Sequence, residues 1–215
     1  MPDAILLADL RAAYVEVPKV ASSSIKLFLA ELLGLSLEVV DGDPHRIAYP
    51  RTALAEVPPD YFVFAFVRNP WSRLVSCYRD KIGGEVSDFT HFDVRPGVAN
   101  CLARFPEFIA GMSFEEFADA VASIPDEEAD EHFRSQYTFL ADWRHRTGGA
   151  FVGRYESLSR DFEVVRRTIG LPGRALPHAQ AVGRRLDYRS RYTETTRRIV
   201  EGRYERDIAQ FGYEF

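Results

Sequence analysis

The stretch V-E-V-P-K-V-A-S-S-S-I, Val15 to Ile25, decides the fold: a short apolar strand runs straight into a lysine and three serines that open a helix. Such a turn leaves the first helical N–H groups without intrahelical partners, and the helix dipole adds about half a positive charge there. It is therefore the expected cradle for an anion, and Lys19 adds a full charge to it. Upstream, Ala12 to Val17 is expected as a buried strand. Downstream, Ser24 to Leu33 carries apolar residues at helical spacing and closes at Gly34.

The same pattern recurs along the chain. Leu37 to Val40 is a possible short strand, followed by the loop D-G-D-P-H-R. Tyr61 to Val67 is a continuous Tyr, Phe and Val run, as expected of a strand covered on both faces. Asn69-Pro70 then opens a helix to Lys81, with proline near the first turn, where its missing N–H costs little. Residues 83 to 106 lack periodicity and are expected to form a long excursion of the lid or substrate-wall kind. A capping box, S-F-E-E from Ser113, opens a helix to Ser123. Ala150 to Arg154 is expected as a strand, followed by a helix from Arg160 to Ile169. One last helix is expected from Thr193 to Gln210. Strands alternating with helices predict one α/β domain over residues 1 to 215, with a P-loop NTPase-like parallel sheet flanked by helices.

Composition narrows the function. The chain has 215 residues, 46% of them hydrophobic, enough for one sizeable core. A net charge of −5 argues against a nucleic-acid binder while permitting a local basic site. Cys77 and Cys101 are the only cysteines, too few for a disulfide framework and without zinc-site spacing, so no metal is expected. No stretch reaches the roughly 18 apolar residues of a membrane span, and no basic region precedes the short apolar run at the N-terminus. A soluble, unprocessed, cytoplasmic protein is expected.

Two strand ends carry anion-binding equipment: Lys19 with Ser22, Ser23 and Ser24, and Arg68 after the Tyr61 to Val67 strand. Two such sites suit a ligand with two charged groups. Arg68 offers a planar fork for phosphate, and Ser76 adds a hydroxyl from the following helix. Neither site has a Walker loop or a G-x-G-x-x-G fingerprint, which disfavours ATP and NAD. A nucleotide-dependent kinase and a non-catalytic nucleotide binder stay as alternatives.

P-K-V-A-S-S-S resembles the 5′-phosphosulfate loop, and V-R-N-P-W-S-R-L-V-S-C-Y-R-D-K the 3′-phosphate motif, of sulfotransferases that use 3′-phosphoadenosine 5′-phosphosulfate. The nearest branch by resemblance is the carbohydrate sulfotransferases of the animal Golgi type, of which this chain looks like a soluble bacterial relative. D-E-H-F-R-S-Q from Asp130, V-G-R-Y-E-S-L-S-R-D from Val152 and the ending Y-E-R-D-I-A-Q-F-G-Y-E-F extend the similarity over nearly the whole chain, although Phe133 stands where the family often has Trp. The resemblance implies sulfuryl transfer to a hydroxyl of a carbohydrate or polyol-like acceptor, with 3′,5′-adenosine bisphosphate as product and no metal. It places Lys19 at the bridging and sulfuryl oxygens, and Val20, Ala21, Ser22, Ser23 and Ser24 around the 5′ group. Arg68 and Ser76 fall on the 3′-phosphate, and Arg189, Ser190 and Arg191 in a loop over the nucleotide.

A general base must take the acceptor's proton, and a neutral histidine suits pH 7. His45, in the D-G-D-P-H-R loop, is the first candidate and His132 the second. His91, His145 and His178 are assigned no duty.

Overall fold

A computed structural model describes residues 2–82, 91–140, 147–177 and 187–215. The chain divides into two compact units, each assembled from separated segments. One comprises Met1–Arg68 and Gln136–Ala181, the other Asn69–Ser135 and Val182–Phe215.

The first unit is built on five strands: β1 (Asp3–Leu7), β2 (Ala12–Val15), β3 (Arg51–Ala53), β4 (Phe62–Val67) and β5 (Ala150–Arg154), in the order β3-β1-β2-β4-β5. The expected parallel sheet needs correcting, because the sheet is mixed. β2, β4 and β5 run parallel, whereas β1 is antiparallel to both β2 and β3. The hairpin between β1 and β2 is the cause: Arg11 turns through left-handed φ (47°) after a single helical turn, Ala8–Leu10, and folds D-A-I-L-L back along A-A-Y-V. Parallel strands need a crossover of a dozen or more residues, and here only a few lie between.

β4 is buried along nearly its whole length, as its unbroken apolar sequence requires. The helices α1 (Ser22–Leu32) and α4 (Leu158–Thr168) supply aromatic cover. Phe28 meets Phe162 edge-on with centroids 5.0 Å apart, and Phe162 also packs on Phe66 at 6.1 Å. Gly153 in β5 is where the backbone must pass Phe66, since a Cβ there would lie 2.3 Å from the ring. The run Leu37 to Val40 ends not as a strand but as a single 3₁₀ turn, Glu38–Val40, closed by Gly42 N–H on the Leu37 carbonyl.

The second unit is helical, with α2 (Pro70–Lys81), α3 (Phe114–Ser123), α5 (Glu194–Arg203) and α6 (Glu205–Phe211). Asn69 and Ser113 cap α2 and α3 as their sequences predict, the latter with a complete capping box. The last helix is two helices, because Tyr204 leaves helical geometry (φ −114°) with its buried hydroxyl donating to the Phe133 carbonyl at 2.6 Å. Phe133 is fully buried among Phe105 and Phe108. Of the expected excursion, residues 83–90 lie outside the described residues; the remainder holds the Arg95–Val98 bridge and a 3₁₀ turn, Asn100–Leu102.

Candidate active site

The carboxyl ends of β2, β4 and β5 point the same way, so the segments that follow them share one sheet edge within the first unit. After β2 comes the loop that carries Lys19, Val20 and Ala21. Lys19 and Ala21 both adopt left-handed backbone, with φ of 68° and 57°. Each such non-glycine residue stores about 1–3 kcal/mol of strain, which persists where the loop shape is needed. Ala21 is also the N-cap of α1 and has no side chain with which to cap it; α4 and α6 likewise lack a side-chain cap, whereas α2, α3 and α5 are closed by one. The α1 N-terminus, with the positive end of its dipole, thus lies beside Ser22, Ser23 and Ser24.

Arg68 follows β4 and comes to the same loop. Its Nη1 donates to the Lys19 carbonyl at 3.2 Å, and its guanidinium lies over the Tyr155 ring, 4.2 Å from the centroid. Gln136, fully buried, grips the Arg68 backbone twice: its Oε1 accepts from the Arg68 N–H and its Nε2 donates to the Arg68 carbonyl, both at 2.9 Å. The strand end is therefore clamped and the arginine held flat. The two cationic strand ends that the sequence predicts are brought together here. The loop thus brings a lysine, three serines and an arginine to one end of the sheet.

His45 enters this neighbourhood from the loop after α1. Its Nε2 lies 2.8 Å from Ser23 Oγ and its Nδ1 3.0 Å from Lys26 Nζ. Lys26, on the inner face of α1 and only 5% exposed, pairs with Glu16 Oε1 at 2.7 Å. Glu16 Oε2 accepts from Arg51 at 2.6 Å. Burial alone would push the Glu16 carboxyl up, but the Lys26 ammonium and the Arg51 guanidinium outweigh it and hold it below the ordinary carboxylate range. The Tyr49 hydroxyl donates to the Lys26 carbonyl at 2.9 Å. Sequence reasoning missed Glu16 and Lys26, although a glutamate in an apolar strand and a lysine among Ile25, Phe28 and Leu29 are both departures from pattern.

In the second unit, His132 is oriented by Asp130. Its Nδ1 lies 2.6 Å from Asp130 Oδ1, and its backbone N–H donates to the same oxygen at 3.0 Å. Burial raises the Asp130 carboxyl, but bonding to His132 more than compensates and lowers it overall. Cys101 stands close to both. Burial pushes its thiol up to about 11. Ser76 is half-buried in α2. Arg189, Ser190 and Arg191 lie in the exposed turn Tyr188–Arg191, where Ser190 Oγ donates to the Asp187 carbonyl and the Arg189 guanidinium lies over Tyr188 and Phe215. His91 is exposed, and His145 and His178 lie outside the described residues. Among the described residues no helix is long and apolar enough to cross a membrane.

Carbohydrate sulfotransferase 14 of Mus musculus is 31% identical over 198 residues, covering 86% of this chain and 50% of its own. The Danio rerio protein of that name is 28% identical over 180 residues, 75% of this chain and 47% of its own. Carbohydrate sulfotransferase 11 of Rattus norvegicus is 28% identical over 186 residues, 77% of this chain and 52% of its own. The chain spans about half the length of the curated relatives it matches. No solved structure matches it. A family model described as "Sulfotransferase family" matches residues 3–214. With that match running through the strained Lys19 loop, the Arg68 strand end and both histidines, the chain belongs to the sulfotransferase family.

Proposed function

We propose that this chain transfers a sulfuryl group from 3′-phosphoadenosine 5′-phosphosulfate to a hydroxyl of a carbohydrate or similar polyol. The observation that carries the reading is the loop at the end of β2, strained at Lys19 and Ala21, opening an α1 that no side chain caps, with the Arg68 guanidinium bonded to its backbone. The donor, when bound, supplies an activated sulfuryl group on a phosphate leaving group. Lys19 neutralises charge developing on the bridging oxygen, and the N–H groups and hydroxyls from Val20 to Ser24 hold the 5′ oxygens. Arg68 takes the 3′-phosphate with a fork already flattened on Tyr155. For Ser76, Arg189, Ser190 and Arg191 the support is the resemblance of their motifs. The carbohydrate acceptor rests on the names of the relatives.

The acceptor's proton needs a basic atom, supplied by a carboxylate or by a histidine nitrogen, and the two candidate histidines differ in what they present. Asp130 accepts the Nδ1 proton of His132, which leaves Nε2 as the basic atom, the arrangement that orients a base. His45, first by its place in the sequence, presents Nδ1 to an ammonium. We therefore assign the base to His132.

Calorimetric titration with 3′,5′-adenosine bisphosphate, beside ATP with Mg²⁺ and an Arg68→Ala variant, tests the donor. Micromolar binding of the bisphosphate, lost in Arg68→Ala and weak for ATP, is expected. Equal or tighter binding of ATP would move the chain to a kinase-like reading.

A further inference from the structure

His45 has a partner on each ring nitrogen, Lys26 Nζ on Nδ1 and Ser23 Oγ on Nε2. An ammonium has three donors and no acceptor, so the hydrogen bond between Lys26 Nζ and His45 Nδ1 runs in one direction: Nδ1 accepts. A neutral ring with Nδ1 as acceptor carries its proton on Nε2. The 2.8 Å contact from Nε2 to Ser23 Oγ is then a donation to the hydroxyl oxygen. A hydroxyl that accepts this bond keeps its own proton free to donate elsewhere.

The charges around the ring favour the same state. Lys26 reaches it from α1, while Glu16, the residue after β2, faces it at 3.9 Å and is bonded more closely to Lys26 and to Arg51 of β3. From the ring's own loop, Asp43 accepts the His45 backbone N–H at 2.8 Å. An imidazolium would bring its Nδ1 proton against the ammonium at 3.0 Å.

We infer that His45 is a positioning residue: a neutral imidazole, held as the Nε2–H form by the Glu16–Lys26 pair, that fixes Ser23 as a hydroxyl donor to the anion at the α1 N-terminus. The direction of every bond in the chain follows from its first member. Glu16 fixes Lys26, Lys26 fixes the ring, and the ring fixes Ser23. The inference rests on the sulfotransferase reading only for the identity of the anion; the state of the ring is independent of it.

Two measurements test it. In long-range ¹H–¹⁵N spectra of the wild-type protein at pH 7, the His45 ring is expected to show a protonated Nε2 and an unprotonated Nδ1. A protonated Nδ1, in either the other neutral form or the imidazolium, overturns the inference whatever the protein binds. In titrations with 3′,5′-adenosine bisphosphate, His45→Ala and Ser23→Ala are each expected to weaken binding about five- to tenfold, the size of one neutral hydrogen bond. The double variant is expected to be no weaker than either single one, because both remove the same donor.

His45→Gln, whose amide N–H reaches the Nε2 position, is expected to bind within about twofold of wild type, whereas His45→Asn, which reaches only the Nδ1 position, behaves as the alanine variant. Losses that multiply in the double variant, or a glutamine variant as weak as alanine, overturn the inference. Absence of bisphosphate binding by the wild type sinks the sulfotransferase reading instead, and the ring signals alone then decide the state of His45.

Discussion

Glu16→Gln isolates the electrostatics under the α1 loop. The substitution preserves shape and removes one charge from a carboxylate that is 13% exposed and bonded to Lys26 at 2.7 Å and Arg51 at 2.6 Å. Breaking a buried pair by removing one partner costs about 3–5 kcal/mol, because the other charge stays buried without compensation. Lys26 is the charge left behind; at 5% exposure it has little access to water, but His45 Nδ1 still accepts from it. Arg51, at 36%, can be hydrated. The lower end of the range therefore applies, about 3 kcal/mol, or roughly two powers of ten in the unfolding constant. With a urea slope near 2 kcal/mol/M, the midpoint falls by about 1.5 M. The double variant Glu16→Gln with Lys26→Met removes the stranded charge as well and is expected to recover at least half of the loss. A single variant that unfolds within about 0.5 M of wild type, or a double variant in which the two losses add, would show that the pair does not hold the loop.

Gly153→Ala places a Cβ 2.3 Å from Phe66 Cε1, against a ring that Phe151 and Phe162 hold from other sides. It should cost about 1–3 kcal/mol and lower the melting temperature by several degrees; an unchanged melting temperature would mean the ring can yield. Acid should destabilise both units. Glu16, Asp126 and Asp130 are each raised by burial, but their cationic and hydrogen-bonding partners lower them overall. Groups depressed on folding contribute stability that is complete above their unfolded values, about 3.9–4.3, and is lost as pH falls through the folded ones. Urea midpoints should therefore hold steady from neutral pH to about 5 and fall steeply below about 4, and a midpoint that rises on acidification would contradict the assignment of these carboxylates.

The parts of the fold that were legible in sequence are those fixed by local rules. Phe62–Val67 is continuous and β-branched or aromatic, so it had to be an interior strand, and S-F-E-E had to cap a helix. β1 was not legible as the strand that turns the sheet mixed, because D-A-I-L-L shows no alternation, and its direction depends on one left-handed residue, Arg11, that no propensity marks. Tyr204 broke a helix for a tertiary reason, its bond to Phe133 seventy-one residues away.

The site divides along the same line. Lys19, the three serines and Arg68 could be proposed from sequence because an anion cradle is a local device, built from a strand end and the helix that follows it. The difference between His45 and His132 could not, because a neutral imidazole is donor and acceptor at once, and which nitrogen does which depends on its partner. For His132 the partner is two residues away, and D-E-H does place a carboxylate on the ring. For His45 it is Lys26, nineteen residues earlier on another element. A carboxylate on Nδ1 turns a histidine into a base at Nε2, and an ammonium on Nδ1 turns it into a donor there. Exchanging only that neighbour's charge reverses the role. In this chain the carboxylate lies on Nδ1 of His132 and the ammonium on Nδ1 of His45.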